Sequence, residues 1–144
     1  YILPRVQTSE QLSFEARPGI EITFVYHPYL PLKKPIQTGF IPVFHLDDLA
    51  ANKAYTIGRR GVWRDYVDLF FLIKWKLYNI QTISKLANKK FRGEFNDKLF
   101  LQQLVYFKDL EIVPAVFLKE SYTPSFIKNF LEKEVSKYIK KVLP

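Results

Sequence analysis

Cysteine is absent from the 144 residues, and its absence limits the chemistry that the chain can perform. Neither disulfide bonds nor metal sites built on thiolates are available. Only two histidines are present, His27 and His45, and two imidazoles alone do not complete the ligand set of a structural zinc site. The sequence therefore excludes disulfide-stabilised proteins and zinc fingers, and the default location is the cytoplasm.

Long uncharged apolar runs are also missing. Lys, Glu, Asp or Asn interrupts every apolar stretch, so no segment reaches the roughly 18 apolar residues that a membrane-spanning helix needs. The chain starts without the basic and apolar regions of a secretory signal. Because its first residue is Tyr1 rather than Met, we expect a fragment of a longer protein, and we predict no membrane partner.

The chain is instead rich in apolar and basic residues. Hydrophobic residues make up 48% and aromatic residues 17%, which is enough for one domain with its own core. The net charge of +8 favours binding to the phosphates of nucleotides, nucleic acids or anionic lipids. Many basic residues fall in helical segments, where we interpret them as solvated outer faces. These residues are Lys85, Lys89, Lys90, Arg92, Lys128, Lys137, Lys140 and Lys141.

The chain changes character once, near residue 45. Residues 12–16 and 20–26 alternate between apolar and polar side chains, and the turn sequence Arg17-Pro18-Gly19 between them predicts a β-hairpin. A further short strand is expected at 40–44. The fold class is therefore α+β, with a small mixed or antiparallel sheet at the N-terminal side that upstream strands are expected to complete.

About five helices are predicted after the sheet. Residues 1–45 then hold the remaining strands, and residues 46–144 form a helical region packed on them in a single compact unit. The predicted helices cover 46–57, closed by Gly58 and Gly61, and then 63–78, 82–91, 96–110 and 125–142. The second helix is apolar on nearly all sides and should be the buried centre.

Three charged residues stand where packing alone does not require them. Lys53 lies close to the apolar stripe of the first helix. Asp65 and Asp68 share one face of the most apolar helix, because three residues advance about 300° around a helix. A lone buried charge costs several kcal/mol, so these carboxylates need a partner or a function.

Two interpretations of these residues remain open. In the first, Lys53 or an arginine at 59, 60 or 64 neutralises the carboxylates structurally, and the abundance of ion pairs between adjacent helices favours it. In the second, the residues line a cleft in which the lysine meets a phosphate and a carboxylate orients it. Spacing alone does not distinguish the two. His27 and His45 flank loops and are interpreted as structural hydrogen-bonding residues.

Four stretches of the sequence resemble the middle and end of AbiEii/AbiGii-type nucleotidyltransferases. In chain order they are 19–29, 46–53, 60–61 and 64–72. The resemblance implies a fold similar to that of polymerase-beta-like nucleotidyltransferases. It also implies transfer of a nucleotide from a nucleoside triphosphate to an acceptor, which is transfer RNA in some members. Because members are often toxins of bacterial toxin–antitoxin or phage-defence pairs, a cognate antitoxin is an expected partner.

The resemblance also implies roles for the polar residues. Lys53 matches the family's helix lysine, which would neutralise phosphate charge. Asp65 matches the later acidic position, which would position that lysine or assist at the reacting hydroxyl. The further candidates for contact with the nucleotide and its phosphates are Arg59, Arg60, Arg64 and Asp68.

Magnesium is the cofactor that the resemblance implies, because two divalent ions stabilise the attacking and leaving oxygens of nucleotidyl transfer. The family's Asp-x-Asp pair does not occur in these 144 residues. The third acidic position falls near Thr23, with Glu21 on the same strand face and Glu15 across the hairpin as substitute ligands. We therefore expect this chain alone to be inactive. The alternatives are a catalytically dead basic module that binds nucleic acid or an antitoxin, and a purely structural domain.

Overall fold

A three-stranded antiparallel sheet opens the computed structural model, which describes residues 3–142 except for the side chain of Arg60. Its strands are β1 (Pro4–Gln7), β2 (Gln11–Arg17) and β3 (Ile20–Val25), in the order β1-β2-β3. The predicted hairpin is confirmed as β2 and β3. Strand β1 was not predicted, because four residues that begin with a proline are too short to show an alternating pattern.

The turn between β2 and β3 depends on a glycine. Gly19 has a φ of +79°, a left-handed conformation that side chains disfavour. Its N–H donates to Oε1 of Glu15 at 2.8 Å, and the guanidinium of Arg5 binds Oε2 of the same carboxylate. One glutamate of β2 therefore ties the turn and β1 together.

Residues 1–30 and residues 31–144 form two units, and each is described by itself. The sheet belongs to the first unit, and the helices belong to the second. Helices begin at Leu46, next to the predicted change of character at residue 45. The single compact body remains a prediction.

The second unit begins with a loop where a strand was expected at 40–44. In this loop, Ile36 and Val43 pair only as an isolated antiparallel bridge. Prolines without an N–H donor interrupt any longer ladder. They are Pro31, Pro35 and Pro42.

Five helices follow in the described part of the chain, which confirms the α+β class. They are α1 (Leu46–Arg60), α2 (Trp63–Lys74), α3 (Ile80–Phe91), α4 (Asp97–Leu104) and α5 (Pro124–Val142). His45 caps α1, since its Nδ1 accepts from the N–H of Asp47 at 3.1 Å. Within residues 3–142, none of the helices combines the length and the apolar character needed to span a bilayer.

Two helices end earlier than predicted. Helix α2 stops at Lys74 rather than at residue 78, because Lys76 turns the chain with a φ of +58°. Helix α4 stops at Leu104 rather than at residue 110. After Leu104, the N–H groups of Val105 and Tyr106 donate to carbonyls three residues earlier instead of four. The apolar pattern continued past both ends, so periodicity alone overestimated both lengths.

The core of the second unit centres on α2, as the apolar sequence of this helix predicts. Phe70 has no exposed surface, and its ring lies 5.0 Å from Tyr122, 6.1 Å from Phe126 and 5.1 Å from Phe130, measured between centroids. All three contacts are edge-to-face, the arrangement that aromatic quadrupoles favour. Other fully buried core residues are Ala50, Ala51, Ala54, Leu69, Ile83, Ala87, Phe100, Leu104, Ile127 and Leu131.

Candidate functional site

Lys53 of α1 lies between two carboxylates of α2. Its Nζ is 2.8 Å from Oδ1 of Asp65 and 2.6 Å from Oδ2 of Asp68. Because the two aspartates are three residues apart on one helix, both project toward the same neighbour. The structure thus brings together the lysine and both aspartates that the sequence singled out.

The turn between α1 and α2 allows Lys53 to contact Asp65 and Asp68. Gly61 is the C-cap of α1, and a Cβ there would lie 3.0 Å from Cε2 of Tyr66 and 3.2 Å from Cα of Ile57. A side chain at this position would therefore force the packed groups apart. The prediction that Gly58 also ends α1 is wrong, because a helix tolerates one interior glycine and Gly58 lies inside α1.

Asp65 is the more constrained of the two aspartates. Its side chain is 8% exposed, compared with 43% for Asp68. Its second oxygen, Oδ2, accepts from the N–H of Val62 at 3.2 Å, just before the first residue of α2. The same carboxylate therefore binds Lys53 and caps a helix, whereas Asp68 keeps its access to solvent.

Lys53 remains positively charged at ordinary pH. Burial by itself lowers the pKa of Lys53, but the hydrogen bonds to Asp65 and Asp68 and the charges of both outweigh burial. The pKa of Lys53 is therefore raised above its usual value of 10.5. The side chain keeps 23% of its surface exposed.

The three side chains line an open cleft of about 910 Å³. One wall comes from residues 61–68, which are the turn after α1 and the first half of α2, and the other from residues 109–116, which follow α4. The volume lies in the range of sites that bind small molecules and cofactors. The structure therefore places Lys53, Asp65 and Asp68 where a ligand can meet them.

Acidic groups outnumber basic groups among the described residues of the cleft lining. The charged residues of this set are Lys53, Arg64, Asp65, Asp68, Asp109 and Glu111. Lys53 already binds two of these carboxylates, and Asp109 accepts from the hydroxyl of Tyr106 at 2.9 Å. A polyphosphate adds further negative charge, so it enters most easily together with its own bound cations.

The three predicted arginines are not equivalent. Arg64 is exposed and lines the cleft. Nη2 of Arg59 instead lies 3.3 Å from Oε2 of Glu94, and its Cζ lies 4.2 Å from the ring centroid of Tyr55. Arg59 is not among the described residues of the cleft lining. The side chain of Arg60 lies outside the described part of the structure. Among the arginines whose side chains are described, Arg64 is therefore the one that lines this cleft.

Glu21 and Thr23, the predicted metal ligands, lie on β3. Oγ1 of Thr23 is 2.9 Å from Oγ of Ser13, and Glu21 is the cross-strand neighbour of Glu15. Over residues 3–142, no three His, Asp or Glu side chains are grouped so that they could hold a metal ion. These residues do not form a complete metal site, and the ligand roles of Glu21 and Thr23 stay predictions.

A buried charged pair that was not predicted from the sequence lies between α1 and α3. Nζ of Lys90 is 2.6 Å from Oδ1 of Asp48, and neither side chain is exposed. The interpretation of Lys90 as part of a solvated face is wrong. Its position predicts burial, since Lys90 follows Ile83 and Ala87 at helical spacing on the buried stripe of α3.

Asp48 also fixes the loop before α1. Its oxygens accept from the N–H of Leu32 at 2.8 Å and from the N–H of Lys33 at 3.2 Å. Burial by itself raises the pKa of Asp48, but the hydrogen bonds from Lys90 and from these two N–H groups outweigh burial. The pKa of Asp48 is therefore lowered below its usual value of 3.8. One charged carboxylate thus joins the loop, α1 and α3.

The whole cleft falls inside a region that matches a known family. The family described as "Nucleotidyl transferase AbiEii toxin, Type IV TA system" matches residues 5–141. The chain belongs to this AbiEii family. The resemblance first seen in the sequence motifs is therefore confirmed.

A similar protein covers much of the same AbiEii region. The uncharacterized protein aq_aa25 of Aquifex aeolicus (strain VF5) is 28% identical over 125 residues, which are 84% of this chain and 58% of that protein. The AbiEii chain therefore spans less than two thirds of the length of that relative. No solved structure matches the chain significantly.

Proposed function

We propose that this AbiEii chain supplies the nucleotide-binding cleft of a toxin that transfers a nucleotide from a nucleoside triphosphate to RNA, with transfer RNA as one acceptor. The observation that carries the proposal is the position of Lys53, held between Asp65 and Asp68 at the wall of an open cleft. Membership of a nucleotidyltransferase toxin family supports the class of reaction.

Lys53 supplies positive charge to the polyphosphate. Phosphoryl transfer concentrates negative charge on phosphate oxygens in the transition state, and a fixed cation stabilises that charge without reorganising. The raised pKa of Lys53 keeps the ammonium charged for this role. Arg64, which lines the same cleft, adds a planar guanidinium that can donate to two oxygens at once.

Asp65 and Asp68 have different roles in this proposal. Asp65 is nearly buried and bonded to the N–H of Val62, so it positions the lysine. Asp68 is 43% exposed, and a phosphate can displace it from Lys53 because exposed ion pairs contribute little stability. A phosphate oxygen then takes the place of Asp68, while Asp65 keeps the ammonium oriented.

Mg²⁺ belongs to the proposal as the general cofactor of nucleotidyl transfer. The 144 residues contain no Asp-x-Asp pair, and residues 3–142 form no acidic metal group. We therefore infer that this chain by itself binds a nucleotide and does not transfer it. Glu21 and Thr23 stay our predicted ligands for Mg²⁺, and further carboxylates are needed to complete the ligand set.

A partner antitoxin and a cytoplasmic location complete the proposal. The description of the family as a Type IV toxin–antitoxin system supports the antitoxin. The net charge of +8 supports an RNA acceptor, because basic surfaces bind the phosphate backbone.

The alternative function is a catalytically inactive basic module that binds nucleic acid or an antitoxin. The acidic excess among the described lining residues favours it, because only two of the basic residues of the chain, Lys53 and Arg64, are among them. Such a module binds RNA with a steep salt dependence, and its affinity for nucleoside triphosphates does not depend on Lys53.

Nucleotide binding in the presence of Mg²⁺ separates the two functions. Lys53→Met removes the charge and keeps most of the side chain, and it should weaken ATP binding about tenfold or more. Lys137→Met is the matched control, since Lys137 is 71% exposed on α5. Isothermal titration calorimetry with ATP and Mg²⁺ measures the affinity of the wild type and of both variants. Equal ATP affinities in the two variants would reject the phosphate site and support the basic module.

A further inference from the structure

The cleft continues into a second, more apolar groove of about 600 Å³. The two share the lining residues Val67, Asp68, Ala115 and Val116. Phe71 and Trp75 extend the groove along α2 and its C-cap. A ligand can therefore reach from the charged cleft into the apolar groove along one face of α2.

We propose that this groove binds the nucleobase of the nucleotide whose phosphates lie at Lys53 and Arg64. The inference rests on the proposed function and assigns the second half of the same ligand. Asp68 and Trp75 are two helical turns apart, about 10 Å along the axis, which is comparable with the span of an extended nucleotide from its terminal phosphate to its base.

The aromatic residues give the groove the chemistry that a base requires. The ring centroids of Phe71 and Trp75 are 4.8 Å apart, and Trp75 still has 58% of its surface exposed. A base that stacks on the exposed indole buries apolar area on both partners, and stacking tolerates any base because each has a π face. The groove does not suit the phosphates, because Lys119 is the only cation among the described residues of its lining.

Comparison of ATP with inorganic tripolyphosphate, both with Mg²⁺, tests the base separately from the phosphates. Trp75→Ala should weaken ATP binding roughly tenfold and leave tripolyphosphate binding unchanged. Trp75→Phe keeps a ring and should stay close to the wild type. Leu77→Ala is the matched control, because Leu77 is 50% exposed and is not among the described residues that line the cleft or the groove.

Fluorescence provides a second measurement that does not depend on the folding of the alanine variant. The chain has two tryptophans, so Trp63→Phe leaves Trp75 as the only indole. ATP should quench its emission, and tripolyphosphate should not. Full ATP affinity in Trp75→Ala together with absent quenching would overturn the groove assignment, while a loss of binding in Lys53→Met would still support the phosphate site. Full affinity of Lys53→Met for both ligands would overturn both proposals.

Discussion

Asp48 and Lys90 form an ion pair in which neither side chain has any exposed surface, with 2.6 Å between Oδ1 and Nζ. Both groups lose their water on folding, and their mutual attraction offsets that loss only because loop N–H groups bind the remaining carboxylate lone pairs. The pair joins α1, which carries Lys53, to α3. Loss of this ion pair should therefore disturb the helix that carries Lys53.

Lys90→Met should be strongly destabilising. The variant leaves the carboxylate of Asp48 buried without its cation, which should lower the free energy of unfolding by about 3–5 kcal/mol. Lys89→Met, one residue earlier and exposed, should change it by less than about 0.5 kcal/mol. Urea unfolding followed by circular dichroism measures both. The ion pair is not a stabilising element if the two variants unfold at the same urea concentration.

Acid should destabilise the protein in part through Asp48. The folded pKa of Asp48 lies below the unfolded value, so the unfolded chain binds the proton more tightly. The contribution of this carboxylate is therefore present above the unfolded pKa of 3.8 and is lost as the pH falls through the folded pKa. As the pH is lowered from about 6 to 2, the melting temperature of the wild type should fall more steeply than that of Asp48→Asn. Parallel curves would contradict this assignment.

Local sequence patterns predicted the helices and the Asp65–Asp68 pair, because both depend on spacing within one segment. Periodicity gave the buried face of α2, and the i, i+3 relation placed the two carboxylates side by side. The pairing of Lys90 with Asp48 depends on residues of different helices. A lysine on a helix is usually exposed, so that general preference outweighed the position of Lys90 on the buried stripe.

The second wall of the cleft could not be predicted for a related reason. Residues 109–116 form neither a helix nor a strand, so they show no periodicity that would reveal which side chains face α2. Three predicted arginines also looked equivalent in sequence. Only the structure shows that Arg59 turns to Glu94 while Arg64 lines the cleft.

Gly61→Ala should destabilise the turn between α1 and α2, and Gly58→Ala should not. A Cβ at position 61 would lie 3.0 Å from the ring of Tyr66, a crowding that should cost about 1–3 kcal/mol. Beyond its chain neighbours and the backbone of α1, no atom of the described residues lies within 4 Å of a Cβ at position 58, so alanine there should add about 0.5–1 kcal/mol of stability. Thermal unfolding compares the two. Shifts of the same sign and size would show that the turn is not tightly packed.

Asp65→Asn and Asp68→Asn should differ in both stability and nucleotide binding. Asp65 is 8% exposed and also accepts from the N–H of Val62, so Asp65→Asn should lower the free energy of unfolding by about 1–3 kcal/mol. Asp68→Asn should lower it by less than about 1 kcal/mol. Asp68→Asn removes a competitor of phosphate at Lys53 and should strengthen ATP binding, while Asp65→Asn should weaken it. Calorimetric titration with ATP measures the affinity of both variants, and thermal melts measure their stability. Weaker ATP binding in Asp68→Asn would argue that phosphate does not displace this carboxylate.

Arg64→Ala and Arg59→Ala change the net charge equally, so together they separate a specific phosphate contact from general attraction. Arg64 lines the cleft, and its loss should weaken ATP and tripolyphosphate binding to a similar extent, about tenfold. Arg59 pairs with Glu94 at an exposed site, and its loss should leave both affinities unchanged. If the basic surface alone attracted phosphates, both variants would lose affinity by the same factor and added salt would remove the loss. That equal loss would favour the basic module over the nucleotide site.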